Sequence, residues 1–175
     1  MAFRLKFLSR ALRKIGEAQE RYRMGNLSIR TAEATDIKEI SALFDLYRQF
    51  YEQESNIELA TDFIRNRMEK SESIILLAVD SNNEVLGFCQ LYPTFCSVKA
   101  SRIFVLSDLF VLPSKRKSGA GKALLVSAEN LAKEAGVSRM DLTTARSNVS
   151  AQSLYESLDW EKDKVFIAYN KNMQA

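Results

Sequence analysis

The chain has 175 residues, 46% apolar and 27% charged, the balance of one folded domain rather than of a disordered or repetitive chain. It has no histidine and only two cysteines, Cys89 and Cys96, which removes imidazole catalysis, histidine metal sites and a disulfide scaffold and fits a reducing, cytoplasmic setting. The net charge of +3 is uneven: residues 1–23 carry +5 and the rest −2, so the body has no electrostatic footprint for nucleic acid, and no apolar run reaches the ~18 residues of a membrane span.

Residues 1–26 form a basic extension, and a second region, residues 27–175, carries the remaining elements. Leu5, Leu8, Leu12 and Ile15 recur at helical spacing between basic residues, which predicts an amphipathic helix over residues 3–16. Such a helix suits a membrane surface or a partner; the plainer readings are a solvated appendage or an upstream start, with Met24 as the working one.

Leu27–Thr31 reads as the first strand, followed by a helix that Asp36 and Glu39 open as a capping box. Ile37, Ile40, Phe44, Tyr47 and Tyr51 share one face of it, and a second helix is expected from Asp62 to Lys70. Ser73–Val79 and Val85–Tyr92 flank the turn Ser81–Glu84 as a hairpin, and Ile103–Leu112 is a longer strand closed by Pro113. After Gly119 and Gly121 comes a helix with Leu124, Ala128, Leu131 and Ala135 on one face and Gly136 at its C-terminal stop. Met140–Thr144 is a strand, Ser150–Leu158 a helix and Val165–Tyr169 a last strand. This order predicts an α/β or α+β domain with a mixed sheet and helices on its faces.

Chemistry concentrates between Asp108 and Lys122, where a strand runs into a basic glycine loop and then a helix. Glycine permits close backbone approach, and unpaired N–H groups at a helix start attract anions, so a phosphate or pyrophosphate is the natural guest. A Walker A loop would need glycine at Arg116 and Ser or Thr at Ala123, and a dinucleotide fingerprint would need glycine at Leu124; both fail. What remains is Arg-x-x-Gly-x-Gly, Arg116 to Gly121, which alone could also be a tight charged turn.

Further along stand Asn148 and the stretch from Ala151 to Trp160, which includes Leu154-Tyr155. Together with Asp108–Val111 and Arg116–Gly121 they resemble the acetyl-CoA-dependent N-acetyltransferases of the GNAT superfamily, over about residues 27–170. Two positions depart from the family pattern. Asp159 stands where glycine usually precedes an aromatic, and Ser107 where many relatives carry a carboxylate.

The resemblance implies a mixed, mostly antiparallel sheet flanked by helices on both faces, acetyl-CoA as co-substrate, no metal, and direct acetyl transfer to an amine in a ternary complex. The coenzyme diphosphate would sit on the N–H groups of Lys117, Ser118, Gly119, Ala120, Gly121 and Lys122 beside the Arg116 charge. Pantetheine and acetyl contacts fall to backbone at Phe110, Val111 and Leu112. Tyr155, a phenol that holds its proton near neutrality, would protonate the departing thiolate, although it also lies on the apolar stripe of its helix. Asp108 would deprotonate the amine directly or through water, or serve as a structural hydrogen-bonding group; Asn148 would fix coenzyme or backbone geometry, or cap its helix. A homodimer is also implied.

Glu52, Glu54, Glu58 and Asp62 cluster between the first two helices, where related folds form the acceptor site, so an acidic mouth there would favour a cationic amine; the plainer reading is an exposed loop whose Asp62 favours the start of the next helix. Tyr47, Phe50 and Tyr51 could line such a site, with core packing the stronger expectation for Tyr47 and Tyr51. The cysteines are read as core. The rival function is a non-catalytic acyl-CoA-binding regulatory module, which Ser107 motivates; a nucleotide-phosphate binder is a third.

Overall fold

Runs of β-branched and aromatic residues pair in chain order to build one sheet. Its strands are β1 (Tyr22–Met24), β2 (Leu27–Thr31), β3 (Ile74–Val79), β4 (Val85–Cys96), β5 (Ser101–Val111) and β6 (Arg139–Leu142), in the spatial order β1-β2-β3-β4-β5-β6. All neighbours are antiparallel except β5 and β6, which are parallel and therefore need a long crossover. Helices α1 (Ile37–Phe50) and α2 (Ile57–Glu69) join β2 to β3, and α3 (Ala120–Glu134) makes the crossover. These results come from a computed structural model that describes residues 22–24 and 26–173, so the helix expected over residues 3–16 lies outside the described residues. The chain divides into two units, residues 1–143 and 144–175.

The first unit is a mixed, mostly antiparallel sheet with helices on both faces, as the sequence led us to expect. Ile75, Leu77, Val79, Phe88 and Phe110 point to one face and pack on Ile40, Leu43 and Phe44 of α1 and Ala60 and Ile64 of α2. The alternate strand residues, among them Leu76, Cys89, Leu91, Phe104 and Leu106, are buried on the other face, where α3 brings Leu124, Leu125, Ala128 and Leu131. Cys89 is core as expected, whereas Cys96 sits half-buried at the end of β4.

Several boundaries differ from the sequence reading for local reasons. The capping box uses Glu33 and Asp36 across a 3₁₀ turn, not Asp36 and Glu39, because the Asp36 carboxylate is held by the Glu33 N–H (2.7 Å) and by both Arg30 guanidinium nitrogens (2.6 and 2.7 Å). Helix α2 begins at Ile57 rather than Asp62, since Asn56 caps it by accepting the Leu59 N–H at 2.9 Å. The sheet also begins earlier, with β1 pairing ahead of Leu27.

In the second unit, α4 (Val149–Glu156) is capped by Asn148, whose side-chain oxygen accepts the Ala151 N–H at 3.3 Å. Asp159 adopts a left-handed φ of 62°, so it takes the conformation glycine would supply after the helix. The strand expected at Val165–Tyr169 is absent. Among the described residues of this unit, 144–173, no other strand is available to form a ladder with it, and Val165, Phe166, Ile167 and Tyr169 are each at least 74% exposed.

The link between α1 and α2 is fixed by a buried carboxylate. Asp45 accepts from the Asn56 N–H (2.8 Å), Ser55 Oγ (2.7 Å), Gln49 Nε2 (2.9 Å) and Arg48 (3.1 Å), and these donors hold its pKa below the ordinary value against burial. Its stabilising contribution is therefore present above the unfolded carboxylate pKa and lost as pH falls through the depressed folded value. Asp45→Ala leaves those donors buried without their acceptor and should cost roughly 2–4 kcal/mol in denaturant unfolding at pH 7. The gap to the wild type should narrow on acidification.

Candidate active site

The glycine loop is shaped by two residues in left-handed conformation. After β5 comes a 3₁₀ turn, Pro113–Lys115; Lys117 then has φ 62° and Gly119, directly before α3, has φ 88°. A side chain at Gly119 would be strained whatever the space around it. Helix α3 starts with the Ala120 methyl in the core, and its first-turn amides have no intrahelical acceptors; Ala120 N–H reaches only Ser118 Oγ, at 3.4 Å. Lys115 is tied to Glu84 at 2.7 Å, while Arg116, Lys117 and Lys122 stand exposed around the loop. Free amides, a helix N-terminus and exposed cations suit a diphosphate, so the residues present fit coenzyme A.

Beside the loop, β5 loses a partner. Among the described residues β6 pairs with Ile103–Leu106 only, so from Asp108 to Val111 β5 is paired on its β4 side alone. The Leu112 N–H donates to the Leu86 carbonyl at 2.9 Å, and antiparallel alternation then turns the backbone groups of Leu109 and Val111 toward the open edge. The Val111 carbonyl already accepts Arg116 Nε there, at 3.3 Å. Of Phe110, Val111 and Leu112, Val111 thus presents its amide and carbonyl at the edge, while Phe110 buries its ring. Gly87, opposite Val111, escaped the sequence reading. A Cβ on it would lie 2.4 Å from the Phe110 oxygen, so glycine is what lets β4 and β5 close here; an isolated glycine within a strand pattern was the available signal.

Asp108 owes its position to a register shift. Gln90 pairs with Asp108 but Leu91 pairs with Leu106, leaving Ser107 as an extra residue in β5. Leu106 and Asp108 therefore face opposite sides of the sheet, and Asp108 joins Phe88 and Phe110 beneath α1. The carboxyl is 9% exposed, and burial pushes its pKa up to about 6. The Tyr47 hydroxyl, 3.2 Å from the Ser107 carbonyl oxygen, also hydrogen-bonds the carboxyl and opposes that shift.

Helix α1 carries this end of the site. Tyr47 packs its ring against the core, as expected, while its hydroxyl reaches β5; Tyr51 meets it edge-on at 5.2 Å yet is 40% exposed, against the core position expected. Phe50, 48% exposed, lies under the Arg116 guanidinium at 5.6 Å. Tyr47, Phe50, Asp108 and Arg116 are thereby drawn to one end of α1, where Glu52 and Glu54 continue the chain as exposed residues. In the second unit Tyr155 lies half-buried on α4, its ring 6.2 Å from Trp160.

A raised carboxyl pKa means that the neutral form favours the fold. This contribution is complete below the unfolded value near 3.8 and is lost as pH rises through about 6. Asp108→Asn keeps shape and hydrogen-bonding capacity without the ionisation, so it should unfold at a higher denaturant concentration than the wild type at pH 8, by up to roughly 3 kcal/mol. At pH 4 the two should converge.

Comparison with known proteins gives the same direction. The Acetyltransferase (GNAT) family matches residues 40–160. An uncharacterised N-acetyltransferase of Bacillus subtilis, YhfO, is 44% identical over 149 residues, covering 85% of this chain and 99% of the relative. The crystal structure of a probable acetyltransferase superposes with a TM-score of 0.79 at 33% identity, covering 84% of this chain and 98% of that one. The aminoglycoside acetyltransferase AAC(6')-Iy, solved with the bisubstrate analogue CoA-S-monomethyl-acetylneamine, shares the fold at a TM-score of 0.70 and 19% identity, covering 85% and 99%.

Proposed function

Because the chain belongs to the acetyltransferase (GNAT) family, we propose that it moves an acetyl group from acetyl-CoA to the amine of a small cationic acceptor, with Asp108 as base and Tyr155 as acid. The observation that carries this reading is the buried Asp108, underneath α1 and beside the open edge of β5, with a pKa near 6. Such a carboxyl is ionised at neutral pH yet retains more proton affinity than an exposed one. Acetyl-CoA would supply the activated thioester.

The chain's own groups then have separate tasks. The amides from Lys117 to Lys122 and the Arg116 charge bind the diphosphate, for which Arg116 leaves the Phe50 ring or uses its remaining donors. Backbone at Val111 orients the acyl arm along the unpaired edge. The Asp108 carboxylate accepts a proton from the acceptor's ammonium group and exposes the nitrogen lone pair. The Tyr155 hydroxyl gives its proton to the leaving sulfur, a role that rests on the family pattern of Leu154-Tyr155 after Asn148.

A cationic acceptor is supported by the exposed acidic residues Glu52, Glu54 and Glu58 at the end of α1 and the start of α2, with Phe50, Tyr51, Ile57 and Leu59 exposed among them. The AAC(6')-Iy complex carries a CoA-linked acetylneamine, the acetylated form of an amine.

Thiol release across a panel of amines tests the activity. With the best acceptor, kcat/KM should fall tenfold per pH unit below about 6, and Asp108→Asn should lose about 10²–10⁴ in turnover. Flat pH dependence with an active Asp108→Asn would remove Asp108 as base. Tyr155→Phe should lose a similar factor in single-turnover rate with melting little changed, whereas a purely packing tyrosine would leave that rate intact.

A further inference from the structure

Gln90 is fully buried at the centre of β4, and its amide is half satisfied. Both hydrogens of Nε2 are engaged, with Ser73 Oγ at 2.7 Å and Tyr92 Oη at 2.9 Å. Oε1 is buried and has no hydrogen-bond partner. Ser73 precedes β3 and Tyr92 lies two residues along β4, so the groups that hold the amide nitrogen stand on the β3 side and on β4 itself, and the remaining strand beside Gln90 is β5. There its cross-strand partner is Asp108, on the same face of the sheet.

A carbonyl oxygen beside a carboxylate is two acceptors without a hydrogen between them. With the amide nitrogen held by Ser73 and Tyr92, that arrangement is satisfied when the carboxyl gains a proton and donates it to the amide oxygen; the turned amide, with Oε1 accepting from the two hydroxyls and Nε2 donating to the carboxylate, is the competing arrangement that the titration below distinguishes. We propose that Gln90 is a positioning residue for Asp108, its Oε1 receiving the carboxyl O–H that Asp108 forms when it takes a proton from the acceptor. The inference rests on Asp108 being the base. In that step an ammonium N–H bond breaks and an Asp108 O–H bond forms. The new O–H points at Gln90, away from the amine, and its proton passes to water after the product leaves.

Other groups around the pair set its background. Tyr47 from α1 donates to Asp108 and favours the carboxylate. Tyr92 and Cys89 of β4 have their own ionisation pushed up to about 12, by burial first and by the Asp108 charge in addition, and so stay neutral. Arg67 of α2 and Glu72 after it form a pair at 2.7 Å and reach the site as opposed charges felt at Tyr92. Asp108 therefore lies between a donor favouring its charged form and an acceptor favouring its neutral one.

Gln90→Met keeps length and burial and removes the amide dipole. Carbon-13 titration of the Asp108 carboxyl, without substrates, should then show its pKa about half to one unit lower than in the wild type, and the acid limb of kcat/KM should move down by the same amount. Should Gln90→Met fail to fold, titration of the wild type decides the matter. The Gln90 side-chain carbonyl carbon should shift as Asp108 is protonated, while its amide hydrogens, held by Ser73 and Tyr92, stay in place. An unchanged or raised Asp108 pKa in Gln90→Met, or amide hydrogens that move downfield as Asp108 ionises, would overturn the inference. Failure of the base assignment would appear separately, as full turnover in Asp108→Asn.

Discussion

One extra residue in β5 decides which way the buried carboxyl of this strand faces. Strict alternation would put Leu106, Asp108 and Phe110 on one face, and a carboxylate in that row would be flanked by Leu106 and Phe110 in one continuous apolar layer. The shift at Ser107 separates them: Leu106 faces α3, and Asp108 and Phe110 face α1. A bulge also bends and twists its strand. The parallel pairing with β6 ends at Leu106, immediately before that bend, so the same irregularity that aims the carboxyl coincides with the opening of the strand edge. Site and fold are one geometric event here.

The last two turns of α1 connect this event to the rest of the molecule. Asp45 anchors the chain as it leaves the helix, Tyr47 reaches the bulge, and Phe50 meets the cation of the glycine loop. A helix normally gives one face to the core and one to water. Here successive residues of one stretch address the linker, the strand and the loop, which explains why apolar Phe50 and Tyr51 remain partly exposed without being packing errors. Movement of α1 relative to β5 would disturb the carboxyl, the loop cation and the acidic linker together.

Much of this was legible in the sequence, and the parts that were not share a cause. The strand-loop-helix unit from Ile103 to Gly136 follows from local chemistry: glycines at positive φ, free first-turn amides and an apolar helix stripe. Aspartate tolerates the left-handed conformation better than most residues, so Asp159 can end a helix where the family pattern has glycine. The bulge at Ser107 left no such mark, because it is set by which residue of β4 pairs with which residue of β5. The use of the Tyr47 hydroxyl was hidden for the same reason, since periodicity reports which face a ring occupies and not what its polar tip meets. Val165–Tyr169 failed in the opposite sense: its composition is that of a strand, but a ladder needs a neighbour that its own unit does not provide.

Among the described residues of the first unit, three buried carboxylates separate stability from chemistry. Asp36 and Asp45 are supplied with several donors, and both are held ionised below the ordinary range. Asp108 has the Tyr47 hydroxyl and, among the described residues, no cation paired with it, and its pKa rises instead. The contrast is not one of burial, because all three are below a tenth exposed. It is one of donor supply. For stability at neutral pH alone, an asparagine at this position would serve better, since ionising a group with too few donors opposes folding. A carboxyl left short of donors, on the strand next to an amide oxygen that is short of a hydrogen, keeps an affinity for one more proton at a fixed point in the sheet. Proton affinity at a defined place is what the proposed removal of a proton from an amine requires, and it comes at the expense of the fold that holds it.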